Sequence, residues 1–81
     1  MEIQITFYLY FKELAGCAKA TEQVPPGSTL GDLLEVIYTR FPKLTAMRRS
    51  TLVAVGVEYQ DSAHQLRDGD EVSLFPPVQG G

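Results

Sequence analysis

The residues best placed to do chemistry in this 81-residue chain are its last two, Gly80 and Gly81. Without Cβ atoms they can pass a constriction too narrow for any other residue. The Gly81 carboxylate, with an ordinary pKa of about 3.3–3.7, is ionised at neutral pH and is a poor electrophile. It needs activation, and acyl-adenylate formation with ATP is the usual route. The approach to it, Phe75-Pro76-Pro77-Val78-Gln79, carries no charge, and Glu71 is the last charged side chain before it. Two prolines fix φ and remove two backbone donors, so the chain leaves its last strand extended. From Pro76 onward it spans roughly 20 Å at about 3.3 Å per residue. We expect Pro76, Pro77, Val78, Gln79 and Gly80 to thread into a partner and Gly81 to be the working group. A floppy end or a cloning remnant is the plain alternative.

Other candidates for chemistry fall away. His64, the only histidine, lies in a turn-rich segment beside Ser62 and Gln65 and reads as a surface residue. Cys17 follows a glycine and has Lys19 nearby, which would lower its pKa slightly, but no base partners it and it reads as an inert small residue. Asp68, Asp70 and Glu71 look like part of a calcium loop, yet the remaining ligands are missing and a turn is the better reading. No glycine-rich loop joins a strand to a helix. Nothing within the fold is expected to catalyse alone, and no metal site is expected.

Composition narrows the class. The 44% hydrophobic and 21% charged content is that of one globular domain with a small core. A single cysteine excludes an internal disulfide and any multi-cysteine metal site, and fits a reducing compartment. The opening MEIQITFYLYFKEL lacks a basic leader and alternates instead of running continuously apolar. We expect a cytoplasmic chain with no membrane segment. With net charge −3 and no basic stripe beyond Arg48-Arg49, nucleic acid is not expected as a partner.

The elements that must position the tail follow from periodicity. Residues 2–10 alternate, with Ile3, Ile5, Phe7 and Leu9 inward and Gln4, Thr6, Tyr8 and Tyr10 outward, which predicts a half-buried strand. The two tyrosines are explained equally well as cross-strand pairs or as a functional surface. A short helical turn or wide loop follows over Phe11–Ala18, broken by Gly16, then a second strand over Lys19–Val24 ended by Pro25-Pro26-Gly27. Thr29 caps a helix over residues 30–41, with Asp32 completing a capping-box variant. Leu30, Leu33, Leu34, Ile37 and Phe41 form its apolar face, and Pro42 stops it. Lys43–Thr51 is a connector with one loose helical turn. Leu52–Val57 is a third strand, Tyr59-Gln60 a brief fourth, Arg67–Asp70 a turn and Glu71–Phe75 the last strand. Val72 and Leu74 point inward, Ser73 and Phe75 outward. This order predicts an α+β fold, the β-grasp of ubiquitin-like proteins, with first and last strands adjacent and one helix across a small mixed sheet. The domain is expected over residues 1–75 and the tail over 76–81.

Leu66-Arg67-Asp68-Gly69-Asp70-Glu71-Val72 and Phe75-Pro76-Pro77-Val78-Gln79-Gly80-Gly81 together resemble the end of the small subunit of molybdopterin synthase, the MoaD family. Phe11-Lys12-Glu13-Leu14-Ala15-Gly16 is similar to that family's Phe-x-x-Leu-x-Gly element after strand one, and the Leu30, Leu33, Leu34 helix sits where the family has one. The resemblance covers essentially the whole chain. Gly56 departs from it, standing where the family commonly has asparagine.

The resemblance implies a sulfur carrier that is the non-catalytic subunit of a heterotetrameric sulfurtransferase. An adenylating enzyme would activate Gly81 with ATP and magnesium, so the carrier itself would hold no permanent cofactor. A persulfide donor would convert the adenylate to a thiocarboxylate. The tail would enter the large, catalytic subunit and give sulfur to cyclic pyranopterin monophosphate, building the molybdopterin dithiolene. Carriers for thiamine synthesis or transfer-RNA thiolation share this chemistry, and a ubiquitin-like protein modifier shares its first step.

Strand parity adds a docking expectation. Tyr8 and Phe75 lie on outward faces of strands predicted to be neighbours, and Tyr59 in the meander can join them. Such an exposed aromatic cluster beside the tail is expected to bind partners, with Glu58, Asp61, Asp68, Asp70 and Glu71 as an acidic rim.

Overall fold

Alternation in Glu2–Phe7 builds β1, whose Ile3, Ile5 and Phe7 are fully buried while Glu2 and Gln4 face out. The computed structural model describes residues 1–77; Val78, Gln79, Gly80 and Gly81, on which most of the expected tail falls, lie outside the described residues. After β1 come α1 (Phe11–Ala15), β2 (Lys19–Gln23), α2 (Leu30–Arg40), a 3-10 helix (Pro42–Met47), β3 (Leu52–Val55), β4 (Glu58–Tyr59) and β5 (Glu71–Phe75). The sheet order is β2-β1-β5-β3-β4. β1 and β5 run parallel at the centre, and every other pairing is antiparallel. The chain is a mixed-sheet β-grasp.

The core forms between the sheet and α2. Leu30, Leu33 and Ile37 of the helix meet Ile3, Ile5, Phe7, Val72 and Leu74 of the central strands, and Phe11 and Leu44 close the ends. Burying each such side chain contributes about 1.5–3 kcal/mol, the main return against chain entropy. The Phe7 ring meets the Phe41 ring edge-on at 5.1 Å. The helix face is broader than expected: Tyr38 is buried under the Arg48 guanidinium, while Leu34 and Phe41 are only half-buried.

Three boundaries differ from the alternation pattern. β1 stops at Phe7, and Leu9 is not inward but 68% exposed. β3 stops at Val55, because Gly56 (φ 63°) and Val57 form a two-residue hairpin turn into β4. Positive φ at the first turn residue alone is the type II′ pattern, which glycine fits without strain. The connector after α2 is a 3-10 helix started by Pro42.

The N-terminus of α2 is fully occupied. Thr29 and Asp32 form the reciprocal capping box. The Leu30 and Gly31 N–H groups donate to the His64 and Ser62 carbonyls at 2.8 and 3.0 Å, and the Leu66 N–H donates back to Ser28 at 3.0 Å. Residues 61–66 therefore lie against the helix end, close enough that a Cβ on Gly31 would meet Ser62 Cβ and O at 3.2 Å. Alanine normally gains about 1 kcal/mol over glycine inside a helix. Here Gly31→Ala is expected to lose that gain and end about 1 kcal/mol below wild type, because Ser62 cannot recede without stretching the bond it accepts. Urea unfolding of the two proteins measures the sign.

Candidate functional site

The tail starts where the central parallel ladder stops. The Tyr8 N–H donates to the Leu74 carbonyl at 3.1 Å, the last rung between β1 and β5. The next rung of a parallel ladder would run from the N–H of residue 76 to the Tyr8 carbonyl. Residue 76 is proline and has no N–H. The Tyr8 carbonyl instead accepts from the Phe11 N–H at 3.1 Å, opening α1. No backbone group is orphaned by this switch. Pro76 is itself buried, so the packed chain runs one residue past β5 before Pro77 emerges half-exposed.

Beside this root the outer face of the sheet is aromatic. The Tyr8 and Phe75 rings stack at 4.5 Å with 11° between their planes. Tyr59 meets Phe75 edge-on at 6.4 Å and 69°. Leu52 pairs with Phe75 across β3 and β5, and Ala54 stands in register between Ser73 and Tyr59, covered to 7% exposure. Tyr8, Leu52 and Tyr59 remain exposed. The structure thus brings Tyr8, Tyr59 and Phe75 together on one face, and Leu52 joins them unforeseen. The signal for Leu52 was its parity with Ala54, which puts it on the same face as Phe75 once β3 and β5 are paired.

The same face turns polar toward β2, where the Thr21 hydroxyl donates to the Gln4 side chain at 3.2 Å. The expected acidic rim does not close around the aromatics. The Asp68 and Asp70 carboxylates accept from the Glu2 and Arg67 N–H groups at 2.7 and 2.8 Å, pinning the turn before β5. That turn and Glu71 lie at the opposite end of the strand from Phe75, roughly 13 Å away for four residues at about 3.3 Å each. Asp61 accepts from the Ala63 N–H at 2.9 Å within the α2-capping segment.

Leu9 is a third element of the root. It is the only non-glycine residue with positive φ (55°) among the described residues, a conformation costing a leucine about 1–2 kcal/mol. With Tyr8 and Tyr10 it makes three consecutive exposed apolar side chains. The Tyr10 ring is held edge-on to Phe11 at 5.5 Å.

His64 serves through its carbonyl at the α2 cap, and Cys17 is half-buried against the core. Among the described residues, no three His, Cys, Asp or Glu side chains gather as a metal set, and no helix is long and apolar enough to cross a membrane.

The ThiS family model matches residues 5–81. The chain belongs to the ThiS family. A molybdopterin synthase sulfur carrier subunit of Arabidopsis thaliana is 30% identical over the whole chain and 84% of its own length. One of Chlamydomonas reinhardtii is 33% identical, with both chains covered to 100%. Among solved structures, SAMP1 from Haloferax volcanii has a TM-score of 0.88 at 25% identity, both chains fully covered. A putative molybdopterin converting factor subunit 1 from Pyrococcus furiosus gives 0.88 at 28%, covering 96% of this chain and 99% of that one. The Helicobacter pylori complex of subunits 1 and 2 of molybdopterin-converting factor gives 0.74 at 26%, with both chains covered to 100%.

In this ThiS family chain the Tyr8–Phe75 stack should register as an energetic coupling. Offset aromatic pairs are worth about 0.5–1.5 kcal/mol beyond area burial. A double-mutant cycle of Tyr8→Ala and Phe75→Ala in urea unfolding is expected to give a coupling in that range. A cycle of Tyr10→Ala with Phe75→Ala should give none.

Proposed function

We propose that the protein is the sulfur carrier subunit of a molybdopterin synthase. The observation that carries this reading is whole-chain similarity to sulfur carrier subunits, with the family match running through Gly81. A root that fixes where the tail begins, next to an exposed aromatic face, supports it.

The chemistry belongs to the Gly81 carboxylate. An adenylating partner attacks the ATP α-phosphate with it in the presence of magnesium, forming acyl-AMP and releasing pyrophosphate. A persulfide sulfur displaces AMP, and thiol cleavage of the resulting S–S bond leaves the thiocarboxylate. The large synthase subunit then takes in Pro77 to Gly81, Pro76 staying packed in the carrier, and supplies the acid–base groups for sulfur transfer to cyclic pyranopterin monophosphate. This chain's contribution is to present the tail in one direction and to keep the reacting end slender. Tyr8, Tyr59 and Phe75 dock both partners. Work in the cytoplasm, where thiols stay reduced, suits a persulfide donor.

Intact-mass measurement after incubation with ATP, magnesium, the adenylating enzyme and a persulfide donor tests the carrier chemistry. The expected gain is that of one oxygen replaced by sulfur, absent from a chain lacking Gly81. Lysine-linked adducts with no thiocarboxylate would overturn the proposal. Gly80→Val is expected to abolish sulfur transfer with no change in Tm. Tyr8→Ala and Phe75→Ala are each expected to weaken binding to the large subunit about tenfold or more, as loss of an aromatic anchor does, measured by calorimetry.

A further inference from the structure

We propose that Leu9 is an apolar anchor for the large synthase subunit at the tail root, a role that rests on the proposed function above. The turn between β1 and α1 needs one residue with positive φ, and glycine or asparagine would supply it more easily. A leucine stands there instead, at φ 55° and 68% exposed. Its side chain therefore does not repay the strained backbone by filling the core. Strain held at an exposed apolar residue is the pattern of a site whose compensating contact lies on another molecule.

The surrounding geometry fixes where Leu9 sits. Tyr8 is held by its N–H on Leu74 and its carbonyl on Phe11, and the Leu9 carbonyl accepts from Lys12 at 3.2 Å. The rings on either side in sequence are held too, Tyr8 on Phe75 and Tyr10 on Phe11. The anchor is thus presented without further ordering of the backbone, which limits the entropy lost on docking.

Reach identifies the occupant. Four residues follow Pro77, and fully extended they span at most about 14 Å. A protein that brings its reacting groups to Gly81 must close onto the domain around Pro77. Leu9 directly follows Tyr8, whose N–H makes the last bond to β5, so that approach covers it. The large subunit holds the carrier as a subunit, and it needs apolar contact at this point.

The test uses the purified full-length chain and the large subunit in calorimetric titrations, with Tm measured alongside. Leu9→Asn keeps a residue that tolerates positive φ and removes the apolar group. Its Tm is expected to equal or exceed wild type while Kd rises about tenfold or more, the value of burying a leucine. Leu9→Met should bind within about twofold of wild type, restoring an apolar side chain of similar volume. Val57→Asn, removing a 99% exposed apolar residue at the β3–β4 turn, should leave Kd unchanged. Equal binding by Leu9→Asn and wild type overturns the inference alone. So does a fall in Tm that accounts for the lost binding, or an equal loss in Val57→Asn. No binding by the wild-type chain overturns the proposed function, and the anchor with it.

Discussion

The parallel pairing of β1 with β5 is the constraint on which the rest of the structure depends. It joins the first strand to the last, with Gln4 opposite Glu71 and Phe7 opposite Leu74. Closing so long a loop adds only about 0.6 kcal/mol for each doubling of its length. Full burial of Ile3, Ile5, Phe7, Val72 and Leu74 outweighs that cost several times over. The pairing fixes both ends of β5. At its start, the Arg67–Asp70 turn is locked to Glu2 through Asp68 and Gly69. At its end, Phe75 is delivered beside Tyr8, and the tail begins there.

Where the ladder stops matters as much as where it forms. A continuing strand would lay residues 76 and beyond along the sheet and hold the tail down. Two local features prevent this. Leu9 swings β1 away and hands the Tyr8 carbonyl to α1, and Pro76 brings no N–H that would need it. The parallel ladder ends at Leu74 because the backbone offers it no further rung. Pro76 is buried, so the departure point is packed, and Pro77 after it is half-exposed.

Much of this was legible in the sequence because strand parity has a period of two. Once Glu71–Phe75 is a strand, Val72 and Leu74 must share one face and Phe75 the other. The first–last pairing of a β-grasp then puts Tyr8 next to Phe75. The end of β1 was not legible, since Leu9 preserves the alternation through the turn. That strand ends because β5 stops at Phe75, before Pro76, and β2 begins at Lys19, which is long-range information. Tyr38 was missed for a related reason. It flanks the apolar stripe of α2, and only the return of the chain to Arg48 covers it. Gly31 carries no local signal at all; its need for a bare Cα comes from Ser62, thirty-one residues on.

A carrier fold also has to hold its chemistry apart from its stability. Among the described residues the largest fully buried side chains are all apolar, and the carboxylates of Asp68, Asp70 and Asp61 serve the turn before β5 and the segment that caps α2. Changes at Gly80 and Gly81 are therefore expected to leave the core untouched. On the proposed function this separation has a kinetic consequence. The adenylating partner and the large subunit both need the same short tail and the same root, so they exclude one another. Each must release the carrier before the other can act, which sets an upper limit on useful affinity. A face built from a few aromatic anchors around Phe75 suits binding that has to be undone.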